Sequence, residues 1–156
     1  KMELNYTNLE QVIKKLGHTV AFQKESGQLV MTFKANLIEY PVFLRILQKD
    51  TLLQLVMFLP CKSDEKTLPE ALNLLNFFNR ELDLPGFCYD DMSKLIFYRL
   101  VIPAFDHLMI SVLTLEKIFE VLPTIATTFA PLTQLVCNGS KTYNDIKNDF
   151  NKASKR

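Results

Sequence analysis

This sequence predicts an antiparallel α+β domain, and three features of it carry the prediction. Residues 18–34 alternate between polar and apolar around Ser26 and Gly27, residues 40–59 form a second strand pair apolar on both faces, and apolar residues at helical spacing lie before, between and after the strands. A chain of 156 residues with 48% hydrophobic content can build one substantial core. Residues 1–140 are therefore expected to form a single domain, with residues 141–156 as a polar C-terminal helix or tail.

The elements follow in order. Leu9, Val12, Ile13 and Leu16 share one face of a first helix, capped by Thr7 or Asn8 and closed by Gly17. The hairpin after it is expected to turn on Ser26 and Gly27, which sets Phe22 opposite Met31 and Val20 opposite Phe33. In the second pair an even loop at Lys49 and Asp50 sets Leu47 opposite Leu52, Arg45 opposite Gln54, and Phe43 opposite Val56. The other face of this pair carries Val42, Leu44, Ile46, Leu53, Leu55 and Met57.

Thr67 and Glu70 have the spacing of a capping box, with Pro69 in the first turn, and Leu68, Ala71, Leu72, Leu75, Phe78 and Leu82 form the apolar stripe of the helix they open. Pro85 and Gly86 break it. A turn at residues 90–93 leads into a strand ending at Pro103, in which Ile96, Tyr98, Leu100 and Ile102 alternate with Leu95, Phe97, Arg99 and Val101. Residues 111–138 read as a long helix with Leu115, Ile118, Phe119, Leu122, Ile125, Ala126 and Phe129 on its apolar side. Pro123 and Pro131 each remove an amide, so a kink or a junction of two helices is expected near Ala130. Tyr143, Ile146 and Phe150 fit one face of a short terminal helix. The order is α-β-β-β-β-α-β-β-α with that helix appended.

Composition and motifs narrow the function. The formal charge is +1 with no basic stripe, which argues against nucleic acid as a partner. Three cysteines far apart fit a reducing compartment better than a disulfide framework, no apolar run is long enough for a membrane helix, and a cytoplasmic location is expected. His18 and His107 have no metal-ligand spacing with another histidine or a cysteine. Asp106 beside His107 could orient an imidazole, but adjacent side chains on an extended chain point apart. Cys88 reads as a small buried hydrophobe, and Asp90 and Asp91 as turn formers. No metal or cofactor is expected.

What the sequence does mark is an apolar surface. A sheet with one wet face should alternate in its second hairpin as it does in the first, yet the outward set there is Phe43, Arg45, Leu47, Leu52, Gln54, Val56 and Phe58. The cover can be the chain's own helices, a second copy or a client. Arg45, Gln54 and Arg99 interleave that face, and such mixing suits a protein interface. Phe77 and Phe78 cannot both lie on one narrow helical stripe, so Phe77 either widens the buried face or joins a contact. The candidate partner-binding residues are thus Phe43, Arg45, Leu47, Leu52, Gln54, Val56, Phe58, Phe77 and Arg99.

The element order, with "EALNLLNFFNRELDLPGFCYDD" and "TIATTFAPLTQLVCNG", resembles the YbjN family and the wider type III secretion chaperone-like fold. The resemblance covers most of residues 5–139. It rests on an asparagine-bearing helix running into a "P-G-F" strand and on a late helix with an alanine-proline pair. It implies a strongly twisted antiparallel sheet flanked by helices, often in a homodimer. Its further implication is a non-enzymatic role, as a chaperone holding an extended client segment or as a regulator. The alternative is a small-ligand protein or enzyme using the cavity between sheet and long helix, with Tyr98, His107 or Cys88 as polar contacts.

Overall fold

The computed structural model describes residues 1–154. Strands β2 (Val20–Gln23), β3 (Gln28–Ala35), β4 (Ile38–Leu47), β5 (Leu52–Phe58), β6 (Phe87–Asp90) and β7 (Leu95–Pro103) form one sheet in the order β2-β3-β4-β5-β7-β6. Every neighbouring pair in it is antiparallel. The helices are α1 (Tyr6–Lys15), α2 (Leu68–Glu81), α3 (Val112–Phe119), α4 (Val121–Thr124), α5 (Ala130–Cys137) and α6 (Tyr143–Ser154). Two short strands that hydrophobic pattern could not reveal, β1 (Met2–Glu3) and β8 (Met109–Ile110), pair with each other and tie the start of the chain to the entry of α3.

The second hairpin has the register read from the sequence: Leu47 faces Leu52, Arg45 faces Gln54, and Phe43 faces Val56. The first hairpin is displaced by two residues. Val20 faces Met31 and Phe22 faces Leu29, because the loop is four residues long, with Gly27 at φ 66° and its amide donating to the Gln23 carbonyl. A two-residue slip leaves each side chain on its face. β3 and β4 join at Asn36 and Leu37, both at positive φ.

The inner face of the sheet is the core floor. Leu29, Met31, Val42, Leu44, Leu53, Leu55, Met57, Tyr98, Leu100 and Ile102 line it, all buried. Leu9 and Ile13 of α1 are fully buried, as the helical spacing predicts, although Asn5 rather than Thr7 or Asn8 caps the helix, its side chain accepting the Asn8 amide at 2.8 Å. The stripe of α2 is rotated from its expected position. Leu74 and Phe77 are buried whereas Leu72 is exposed, because α2 is covered from several sides, by β6, α5 and α6.

Nor does the expected capping box form. Asp64 accepts the Lys66 and Thr67 amides, the Thr67 hydroxyl lies 2.9 Å from the Cys137 carbonyl, and Glu70 accepts the Tyr143 amide at 2.6 Å. Thr67 and Glu70 thus serve the end of α5 and the start of α6, whose open backbone groups compete for them. Asn79 of α2 holds β6 in place, donating to the Phe87 carbonyl at 3.0 Å and accepting the Phe87 amide at 2.6 Å. A Cβ on Gly86 would lie 3.2 Å from the Asn79 side-chain oxygen, so this close approach suits glycine.

All seven stripe residues read in the late helix are buried, but the path is not a simple kink. Residues Ile125–Phe129 form a π-helical turn, and the Ala130 amide donates five residues back to Ile125. In that register the partner of the Ala126 carbonyl would be Pro131, which has no N–H. The Tyr40 hydroxyl of β4 supplies the missing donor at 3.0 Å, in the core. Tyr40→Phe should therefore lower stability by about 1–3 kcal/mol through the carbonyl left unpaired, read as a shift in the urea midpoint with an unchanged slope.

The last helix packs onto the core. Ile146 is fully buried, and Phe150 stands near Phe77, Phe78 and Phe129 at ring separations of 5.6 to 6.4 Å. Ile146→Asp should cost several kcal/mol in the global unfolding transition. A change confined to local fraying of the tail would show that α6 is not coupled to the domain.

Candidate functional site

Side chains on the outer face of the sheet project away from the helices. Burial alternates along β3, β4 and β7, with the inner residues closed and the outer ones half-buried or exposed. Of the three covers the sequence left open, the chain's own helices are not the one in use.

Cross-strand register assembles the face in rows. Val56 stands between Phe43 and Arg99, Gln54 between Arg45 and Val101, Leu52 between Leu47 and Pro103, and Phe58 pairs with Phe97. Val56 is 9% exposed, shielded on the sheet yet outside the core cluster. Phe43 meets Phe58 edge-on at 5.5 Å, and Phe58 meets Phe97 at 5.8 Å, giving a linked aromatic row. Beside it Pro41, Phe43, Phe58, Leu59, Pro60 and Leu95 wall a shallow groove of about 430 Å³, with Glu39 at its margin.

The polar residues of the face are held in place. Arg99 Nε donates to Gln54 Oε1 at 2.8 Å, and Arg45 Nη2 donates to the Ser26 carbonyl at 2.9 Å. Among the described residues, neither guanidinium is in an ion pair. The face is therefore an apolar centre with two oriented cations free to meet carboxylates.

Of the candidates read from sequence, all but Phe77 come together here. Phe77 is buried on α2, edge-on to Phe150 at 5.6 Å, with the Arg80 guanidinium 5.8 Å from its ring. Val30, Phe97 and Val101 belong to the same outer face, and the pairing register is the signal that finds them.

Groups considered for chemistry are scattered. Tyr98 is buried and donates to the Leu84 carbonyl, Cys88 pairs with Phe97 on the outer face, and His107 is exposed in a turn, so no cavity gathers the three. Contrary to the extended-chain expectation, Asp106 and His107 do meet, at 2.7 Å, because His107 sits at φ 55° in a tight turn. The pair stands in water at 69% and 91% exposure. His18 lies between the rings of Phe33 and Phe119, and burial lowers its pKa. Among the described residues, no cluster of three or more His, Cys, Asp or Glu could hold a metal, and no helix is long and apolar enough to cross a membrane.

This architecture defines an α+β domain with a helix-covered sheet face and an open, largely apolar one. The chain belongs to the YbjN family, described as putative bacterial sensory transduction regulators, whose pattern matches residues 5–132. Among solved structures, that of the HopA1–SchA chaperone–effector complex is similar at 20% identity and a TM-score of 0.45, over 73% of this chain and 83% of that one. Comparison with curated proteins finds no match.

The thiols give a chemical check on this arrangement. Cys61 and Cys137 are buried and Cys88 is half-buried, so a thiol reagent should label the native protein first at Cys88. Burial, then the nearby Cys137, pushes the Cys61 thiol from an ordinary 9.0 up to about 12. The stability linked to the neutral Cys61 thiol is fully present below pH 9.0 and lost as pH rises toward about 12. Melting temperature should fall across that interval, and fall less steeply in Cys61→Ala.

Proposed function

We propose that this protein is a non-enzymatic binding module that holds an apolar segment of a client polypeptide on its open sheet face, in a chaperone-like or regulatory role, as a cytoplasmic homodimer. The observation that carries the reading is the composition of that face. Phe43, Val56, Phe58 and Phe97 form a centre without charge, and Arg45, Gln54 and Arg99 lie among and around them. Protein interfaces combine aromatic and arginine side chains in this way, with the binding energy concentrated near the middle. Covering a large apolar side chain is worth about 1.5–3 kcal/mol, so a partner gains from each one it closes over. The two arginines favour a client segment with carboxylates flanking its apolar residues. Membership of a family described as sensory transduction regulators agrees with a role exercised through another macromolecule.

The test compares two neighbouring residues of β5. Val56→Asp places a charge at the centre of the open face and should abolish capture of client proteins in the native cell, with a melting curve near that of the parent. Leu55→Asp, on the inner face, puts an unpaired charge in the core and should unfold a domain whose total stability is about 5–15 kcal/mol. If Val56→Asp melts like Leu55→Asp, the outer face is core and the reading fails. If it folds and keeps its clients, they bind elsewhere.

A further inference from the structure

The β3–β4 turn carries a leucine where the backbone favours glycine. Ala35 pairs with Ile38, leaving Asn36 and Leu37 as the turn, at φ 51° and 66°. Two-residue hairpin turns with both residues left-handed are typically Asn-Gly, since a branched side chain is strained at the second position. Leu37 accepts that strain with its side chain wholly in water, at 106% exposure. Neither the turn nor the core gains from it.

Beside the turn lies a groove of about 530 Å³ between the start of β4 and α5. Ile38, Tyr40, Pro60, Ala130, Pro131 and Leu135 wall it, with the Gln134 amide and no charged side chain. Its polar walls are already engaged: the Tyr40 hydroxyl donates to Ala126, and the Cys61 thiol lies 3.6 Å from the Ala130 carbonyl. An occupant finds almost nothing to hydrogen-bond and must be apolar.

We propose that the occupant is Leu37 of a second copy of this chain, so that two copies meet about a two-fold axis and each seats its Leu37 in the other's groove. Projecting residue and groove adjoin at one corner, since Leu37 precedes the Ile38 that lines the groove, and a two-fold contact requires both halves on one patch. The contact closes on itself and ends at two copies. Lys34 and Glu39, opposite each other on the two strands of the hairpin and 3.5 Å apart, pair within the chain on the outer side of the sheet and leave the groove without charge. The inference takes the homodimer from the proposed function, adds where the copies meet, and leaves the Val56 face free for a client.

Sedimentation equilibrium on the full chain across the micromolar range tests it. Wild type should be a dimer. Leu37→Gly removes the side chain and relieves the turn, while Leu135→Glu spoils the groove; each should weaken self-association by about tenfold or more with the circular dichroism spectrum retained. An equal mixture of these two variants should associate more strongly than either alone, because one intact Leu37 then meets one intact groove. Val56→Asp should dimerise like wild type. A monomeric wild type, or Leu37→Gly dimerising as tightly as wild type, would overturn the inference. Dimerisation lost in Val56→Asp and kept in Leu37→Gly would also overturn it, by placing the contact on the sheet. A wild-type monomer whose client is still lost on Val56→Asp would end this inference while leaving the client reading in place.

Discussion

A proline without an amide sets the terms of this fold. Pro131 cannot donate to the turn before it, the helical register slips to five residues, and the Ala126 carbonyl is left facing the sheet. Tyr40 answers it from β4, and the Cys61 thiol, just past β5, lies 3.6 Å from the Ala130 carbonyl. These two contacts bring the late helical run against the β4–β5 end of the inner face. Ile125, Ala126 and Phe129 then close the core there. Since the late run, α1 and α2 all serve the inner side, the outer side is left without a helix.

The inner and outer faces of the second hairpin are both largely apolar in sequence yet end in different surroundings. Periodicity says which residues share a face, because side chains alternate at every step of a strand. It carries no information about what lies opposite. The β4–β5 register was legible because the loop is centred between Lys49 and Asp50, where the sequence places the turn. The β2–β3 register was not, because a four-residue loop closed by Gly27 and a two-residue turn place the same residues on the same faces. The outer face was legible to the extent that register was: Phe43, Arg45, Leu47, Leu52, Gln54, Val56, Phe58 and Arg99 share one side of the sheet as read.

What escaped the sequence has a common cause in long-range partners. Thr67 and Glu70 have capping-box spacing but meet α5 and α6, some 70 positions away in the chain. Phe77 was ambiguous because its cover, Phe150 on α6, belongs to the segment that reads as a polar tail. β1 and β8 are two residues each, below the length at which alternation can be seen. Leu37 gave no periodic signal at all, and only its backbone angle and exposure single it out.

The margins of the large sheet are as telling as its faces. Both outermost strands, β2 and β6, are four residues long, and beyond the end of β2 the unpaired stretch of β3 carries Lys34. Short, charge-bearing margins make poor templates for strand addition. A protein that leaves aromatic side chains open on a sheet risks seeding fibrils, and here the blunt margins oppose that route to polymerisation. An apolar face can thus persist in a crowded cell at lower risk of runaway aggregation.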